Sequence, residues 1–289
     1  MKKVLVLFNG KAGLGTARSD IAKACKKYDL NARLVTLDEH AKRHIIKAKR
    51  EGYSIVAAAG GDGTISSVAA LVKEAKLTLG VIPIGTLNHF AKDLNIPITS
   101  DEAVQVIARG RSRLVDVGIV NDCLFINNSS IGLYPAAVQQ RERLARLIGK
   151  WPAALIGLAR ALVKLRRYRV TLQVGHQELQ RKTPFIFVGN NIYNLDNLGI
   201  TNRKRLTGGK LCIYVVTTGS VWKLIRIFMH ALLGRIDIER DFESFTAKKL
   251  GISTKRPQLS VAHDGEVTVL DTPLQYRIEP AALRVITPR

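Results

Sequence analysis

Cysteine is scarce in this chain of 289 residues: Cys25, Cys123 and Cys212 lie far apart, are odd in number and lack metal-ligand spacing. That pattern excludes a disulfide framework and a cysteine-built metal site, and it fits ordinary buried thiols in a reducing compartment. Aromatic residues make up only 6% and no recognised nucleic-acid motif is present, so no nucleic-acid partner is expected. Long apolar runs are missing: no stretch reaches the ~18 uncharged apolar residues of a spanning helix. The run Val4–Phe8 after Lys2-Lys3 is too short for a secretory signal, and no small-residue cleavage site follows it. A cytoplasmic protein is therefore expected. Acidic residues are also few: 23 Asp and Glu stand against 45 Lys and Arg, a formal net charge of +22. Such a charge points to a polyanionic partner, either nucleic acid, an anionic membrane surface or a phosphorylated small molecule.

What the chain does have is 46% hydrophobic residues and the length for two domains or one large one. Its most informative segment is Gly60-Gly61-Asp62-Gly63-Thr64. The apolar run before it, Tyr53–Ala59, reads as a buried strand, and Ile65–Lys73 after it reads as a helix. A glycine-dense turn between strand and helix lets backbone N–H groups converge on an anion that side chains would otherwise keep away. Asp62 would repel a bare phosphate but tolerate a magnesium-bound or water-bridged one.

The first part of the chain alternates strand and helix signals: strands at 3–8, 32–37, 54–59 and 78–83, helices at 16–28, 39–51 and 65–75. This order predicts a parallel sheet with helices on both faces, and ligands at the carboxyl ends of its strands. Three strands there end in glycine-containing loops, 9–15, 60–64 and 83–88; if the strands are neighbours, the loops share one edge. From about Val115 short alternating segments take over, at 115–120, 124–128, 168–174, 184–188, 210–217, 258–262 and 266–270, which predict a mostly antiparallel β domain. The expected division is an α/β domain over 1–119 and a β-rich domain over 120–289. The final strand, near 283–286, is free to pack back on the first domain. Two basic helical stretches interrupt the β region, 141–169 with Trp151 and 221–236 with Trp222. They suit either an anionic membrane surface or packing on the sheet with arginines in water.

The third loop, Pro83-Ile84-Gly85-Thr86-Leu87-Asn88-His89-Phe90-Ala91-Lys92-Asp93-Leu94, completes a pattern. Together with Gly60–Thr64 it resembles the diacylglycerol kinase catalytic family, in its bacterial lipid kinase branch. That family is related to sphingosine kinases and more distantly to NAD kinases. Asn9-Gly10-Lys11-Ala12-Gly13 sits where the family has an Asn-Pro-x-Ser-Gly-like loop, and Thr36 with His40-Ala41 looks like its Thr followed by His-Ala. Ser130-Ile131-Gly132-Leu133 is similar to the segment opening its second domain, and Asp264-Gly265-Glu266 matches its Asp-Gly-Glu signature. Gly-Gly-Asp-Gly-Thr alone is shared with NAD kinases; the ordered set is more specific.

The resemblance makes 1–119 a nucleotide-binding domain and 120–289 a lipid-substrate domain. It implies a nucleotide site in a cleft between the two domains and transfer of the γ-phosphoryl of ATP, carried with Mg²⁺, to a lipid hydroxyl. On that analogy Asn9, Gly13, Thr36, Gly60, Gly61, Asp62, Gly63, Thr64, Ile65, Ser66, Gly85, Thr86 and Asn88 bind ATP. Asp264 takes the proton of the acceptor hydroxyl, and Glu266 supports it or the nucleotide. One departure concerns a structural Mg²⁺ that related kinases hold on an Asp-Gly turn. The matching stretch here is Leu206–Leu211, with Gly208 at the aspartate position and Lys210 two residues on, which argues against that metal.

Plainer readings stand beside these. Asp62 and Asn88 are candidate helix caps, and Asp264-Gly265 is a common hairpin pair. His89 and His263 are expected on the surface, His40 and His44 in solvent, and Arg203-Lys204-Arg205 in an exposed loop. The leading function is an ATP-dependent lipid kinase at a membrane surface. The alternatives are a soluble NAD kinase and a basic nucleotide- or nucleic-acid-binding protein without catalysis.

Overall fold

The structure is a computed structural model that describes residues 1–9, 14–132, 167–175, 177–194, 202–203, 205–216 and 242–289. The helix expected over 221–236 lies outside the described residues. So does the one expected over 141–169, except at its end, where Tyr168 and Arg169 belong to a strand. The chain forms two compact units, Met1–Val117 with Pro280–Arg289, and Gly118–Glu279.

The first unit alternates as its sequence pattern requires: β1 (Lys2–Phe8), α1 (Leu14–Lys27), β2 (Leu30–Thr36), α2 (Ala41–Arg50), β3 (Ile55–Gly60), α3 (Asp62–Glu74), β4 (Thr78–Pro83), α4 (His89–Asp93), α5 (Ser100–Arg109) and β5 (Arg111–Val120), which runs on into the second unit. The strands stand in the order β2-β1-β3-β4, all parallel. All six residues of β3 are buried, the near-continuous apolar run of a strand covered on both faces. Helix α3 buries Ile65, Val68, Ala69 and Val72, a stripe at helical spacing. The end of the C-terminal strand adds itself parallel to β4, with Arg284 opposite Thr78 and Val285 opposite Leu79.

Of the two short helices, α4 was expected only as the unbounded helix that Asn88 would cap, its five residues being too few for a periodic pattern to show, and α5 escaped the sequence reading. α5 opens on the N-cap Thr99, whose hydroxyl accepts the Glu102 N–H at 3.4 Å and donates to Glu102 Oε2 at 2.5 Å.

The second unit is antiparallel. Its strands are β6 (Cys123–Phe125), β7 (Asn128–Gly132), β8 (Tyr168–Val174), β9 (Gln177–Thr183), β10 (Phe185–Asn190), β11 (Tyr193–Asn194), β12 (Asn202–Arg203), β13 (Leu211–Val216), β14 (Phe242–Ala247), β15 (Lys249–Thr254), β16 (Gln258–His263), β17 (Glu266–Asp271) and the start of β18 (Leu274–Thr287). One sheet runs β14-β13-β10-β7-β16-β17; facing it, β18, β15, β8 and β9 pair in that order. Alternate residues of both sheets, among them Leu172, Val188, Ile213, Leu250, Ile252 and Val261, fill a shared core. Phe125 meets Tyr276 edge-on there at 6.2 Å, and the Tyr276 hydroxyl lies 3.1 Å from Ser129 Oγ. Strands β9, β14 and β15 were not foreseen. β9 reads Gln-Glu-Leu-Gln-Arg-Lys-Thr, and only its pairing with β8 makes it a strand.

The cysteines are free thiols; Cys25 and Cys212 are buried, whereas Cys123 is half-buried. Burial pushes the Cys25 and Cys212 thiols up to about 11. At pH 8 the native protein should therefore resist iodoacetamide at Cys25 and Cys212, and all three cysteines should react once it is unfolded, read by peptide mass spectrometry. Thr99→Ala should lower stability by about 1 kcal/mol, read as a shifted urea midpoint.

Candidate functional site

In the first unit β1, β3 and β4 are neighbours and parallel, so the segments leaving their carboxyl ends stand at one edge of the sheet. Asn9 follows β1, and its Nδ2 donates to Thr64 Oγ1 at 3.0 Å, tying the first segment to the second. The rest of that loop, Gly13 included, lies outside the described residues. Gly60 ends β3 where a Cβ would fall 2.5 Å from Thr64 Cβ. Gly61 and Gly85 then meet face to face: a Cβ on Gly85 would lie 2.5 Å from Gly61 Cα and 2.9 Å from Asn88 Oδ1. Only hydrogen fits on Gly85 there, whereas a Cβ on Gly61 would lie an ordinary 3.5 Å from Gly85 Cα.

Asp62 is the first residue of α3, but its side chain does not cap that helix. Its Oδ2 and Oδ1 accept the His89 and Phe90 N–H groups, each at 3.2 Å, so it caps α4 on the neighbouring loop. Asn88 sits in the left-handed region at φ 51°. Its Oδ1 accepts Gly85 N–H at 3.1 Å and its Nδ2 donates to Gly85 O at 2.9 Å; the side chain closes the loop instead of capping α4. Asp62, Gly63 and Thr64 have N–H groups with no acceptor within their own helix, and these lie at the positive end of its dipole. Ile65 and Ser66 are buried, and the Ile65 N–H goes to Gly61 O at 3.0 Å. Thr86 is exposed, as is Thr36 at the end of β2, opposite Phe8. His89, expected on the surface, is half-buried because α4 packs on β4, and its Nδ1 is buried without a hydrogen-bond partner among the described residues. His40 is exposed as expected, while His44 is half-buried beside Asp38.

In the second unit Asp264 and Gly265 join β16 to β17 in a two-residue turn, with φ of 47° and 89° and His263 paired to Glu266. Both positive φ values mark the primed hairpin turn that favours Asp-Gly. Asp264 does more than turn the chain. It is 7% exposed. Its Oδ2 accepts the Ile126 N–H at 2.7 Å, and its Oδ1 accepts those of Asn127 and Asn128 at 2.8 and 3.2 Å. Glu266 is exposed beside the turn, and His263, half-buried, lies 3.0 Å from Thr268 Oγ1 through its Nε2.

The opposite side of the same loop is held by a residue expected in solvent. Arg203 is 7% exposed. Its guanidinium donates to Ile126 O at 2.5 Å, Asn127 Oδ1 at 3.0 Å and Asn190 O at 3.2 Å. Asn190 Nδ2 adds a bond to Ile126 O and the Tyr193 hydroxyl one to Asn127 O, both at 2.9 Å. Burial holds the Tyr193 hydroxyl pKa above its usual range, so it stays a donor. Arg205 is exposed, as expected for the run. Nothing in Arg203-Lys204-Arg205 distinguishes its first member, because the acceptors lie on loops 76 or 77 residues away or on β10. Gly208, at the position of the family's metal-binding aspartate, gives its N–H to Asn191 Oδ1 at 2.8 Å, a donor where a cation needs oxygen. Among the described residues no group of three or more His, Cys, Asp or Glu is placed to hold a metal.

A parallel α/β unit with glycine loops at its strand ends and an antiparallel β sandwich are the fold of a solved diacylglycerol kinase structure from Bacillus anthracis str. Sterne. It is similar at a TM-score of 0.71 and 22% identity, covering 99% of this chain and 97% of that one. The diacylglycerol kinase catalytic domain model matches residues 3–120, and the YegS C-terminal NAD kinase beta sandwich-like domain model matches 130–287, more than half of the chain. The chain belongs to this family of diacylglycerol kinase and YegS-like proteins. A "Diacylglycerol kinase" of Staphylococcus aureus (strain bovine RF122 / ET3-1) is 26% identical over 92% of this chain and 86% of that protein. A "Probable lipid kinase YegS-like" of Yersinia enterocolitica serotype O:8 / biotype 1B is 30% identical over 55% of this chain and 57% of that protein. Membership supports a lipid kinase, and kinases of this kind use ATP with a divalent metal.

Arg203→Ala would leave the oxygens of the 126–128 loop without their buried donor. It should lower stability by about 3 kcal/mol or more, measured by urea denaturation, while Arg205→Ala should change it by less than about 0.5 kcal/mol.

Proposed function

We propose that this protein is an ATP-dependent lipid kinase that transfers the γ-phosphoryl group of ATP to a hydroxyl of diacylglycerol or a related membrane lipid. The observation that carries this reading is the contact of Gly61 with Gly85. It leaves a surface without side chains at the ends of adjacent parallel strands, beside the N–H groups that open α3. A triphosphate needs such backbone donors and close approach. Asn9, Gly13, Thr36, Gly60 to Ser66, Gly85, Thr86 and Asn88 are assigned to the nucleotide. Ile65 contributes by anchoring the first turn of α3 in the core, and Asn88 by holding Gly85 in place.

The divalent ion carried by ATP, assigned as Mg²⁺, would neutralise phosphate oxygens. Asp62 is the carboxylate of these loops that suits a hard cation, through water. In the reaction the lipid hydroxyl oxygen bonds to the γ-phosphorus, the bond from that phosphorus to the β–γ bridging oxygen breaks, and ADP leaves. The hydroxyl proton goes to the Asp264 carboxylate, which three N–H donors hold in one orientation, and Glu266 supports it. The reading includes a cytoplasmic protein held peripherally on an anionic membrane surface, in keeping with its net charge of +22. Among the described residues no helix is long and apolar enough to cross a membrane.

The direct test is radiolabelled ATP with diacylglycerol, a sphingoid base, a polyprenol or phosphatidylglycerol in detergent micelles, and NAD⁺ as the soluble acceptor. Label should enter a lipid; label on NAD⁺ alone would overturn the proposal in favour of an NAD kinase. Asp264→Asn should lower kcat by roughly 10²–10⁴ with the affinity for a non-hydrolysable ATP analogue kept, and an unchanged kcat would remove Asp264 as the proton acceptor. Gly85→Ala should push the two loops apart and weaken the analogue about tenfold or more by calorimetry, and wild-type affinity would count against the glycine contact as the phosphate site.

A further inference from the structure

The open face of the β18-β15-β8-β9 sheet carries cations that neither the fold nor the proposed chemistry uses. Arg169 on β8 and Lys182 on β9 are direct register partners. Lys255 follows Thr254, which pairs with Val170, so it stands on the other side of Arg169. All three side chains are exposed, and among the described residues none has an ion pair. With Thr171, Gln180 and Ser253 they line a groove of about 640 Å³. Arg181 also borders the groove, but its guanidinium is taken by Glu243 at 2.5 and 2.7 Å. Carboxylates on this face lie further along: Glu178 opposite Gln173, and Glu279 on β18, which pairs with Arg277.

The sheet fixes the direction of this charge. Val170 and Leu172 point into the core, so Arg169 and Thr171 must point out. Like charges directly opposite on neighbouring strands repel, and here no ion pair among the described residues offsets the repulsion. An external anion would relieve it. The row crosses three strands, about 10 Å at the usual strand spacing, wider than a single phosphate group. It therefore fits several anions presented in one plane. Single-stranded nucleic acid would need aromatic platforms for its bases, and the groove is lined by Thr, Ser, Gln, Lys and Arg around Val170.

We propose that this groove is the surface through which the protein docks on a bilayer of anionic phospholipid, with Arg169, Lys182 and Lys255 meeting the headgroup phosphates. The choice of a bilayer rests on the lipid kinase reading.

The test compares the full chain with two variants of equal charge loss: Arg169→Gln/Lys182→Gln/Lys255→Gln, and, on the exposed face of α2, Arg43→Gln/Lys47→Gln/Arg50→Gln. Flotation with phosphatidylglycerol–phosphatidylcholine vesicles is read across a salt series. The groove variant should partition ~10-fold or more weaker, with a shallower salt dependence, and the α2 variant less than about threefold weaker. An equal loss in both would mean that net charge alone acts, and wild-type partition of the groove variant would overturn the proposal outright. It would also fall if the groove variant kept vesicle binding and lost affinity for duplex DNA. Labelling of short-chain diacylglycerol in neutral micelles should be the same for the groove variant and the wild type. If the wild type labels no lipid, the kinase reading fails, while flotation still decides what the groove binds.

Discussion

Two parallel strands stand only about 4.8 Å apart, and the loops beyond β3 and β4 meet at a point where Gly85 has no room for a side chain. Gly60 and Pro83 are register partners at the ends of β3 and β4, and the chain beyond them brings Gly61 against Gly85. With that contact made, Asp62 reaches the start of α4, Asn88 folds back on Gly85 and Asn9 reaches Thr64. The arrangement is therefore set by backbone spacing in the sheet and locked by three polar side chains, before any ligand is considered. On the proposed reading, this is why the loops can receive a highly charged tail without rearranging.

Much of the first unit was legible because its signals are local. Apolar runs bounded by glycine or charge gave β1, β2, β3 and β4 within about two residues, and spacing gave α1, α2 and α3. The neighbouring order of β1, β3 and β4, on which a shared loop edge depends, was left open by the alternation of elements and is seen only in the structure. The second unit was legible as a class, and β8, β16 and β17 emerged with their boundaries nearly intact. β9 was not, because most of it faces water and a polar strand without its partners looks like a loop; β15 was not either, with only Leu250, Gly251 and Ile252 buried.

The candidate site divides along the same line. That the glycine loops exist at strand ends could be read from sequence, and that they lie together only on the condition that the strands are neighbours; what their polar residues do could not. Asp62 before a helix suggests a cap on that helix, yet its carboxylate serves another helix 27 and 28 residues away. Arg203 in a basic tripeptide suggests solvent, yet it is buried against backbone oxygens. Both departures have one cause: a hydrogen-bonding group takes whatever partner the tertiary fold brings within hydrogen-bonding distance, and sequence distance says nothing about which that is.

Asp264 shows how two structural roles can share a residue to which the proposed reading gives a chemical one. Its backbone makes the β16–β17 turn while its carboxylate gathers the N–H groups of Ile126, Asn127 and Asn128, and Arg203 draws the oxygens of that loop the other way. Peptide dipoles aligned between a buried anion and a buried cation keep both charges satisfied, so neither is left uncompensated. A carboxylate held this firmly has little freedom to seek its substrate. Phosphoryl transfer through a loose transition state asks little of a base as a base and much of alignment and fixed charge. If Asp264 takes the proton of a lipid hydroxyl, its contribution is that its oxygens are already in position, and the clamp on the 126–128 loop is what keeps them there.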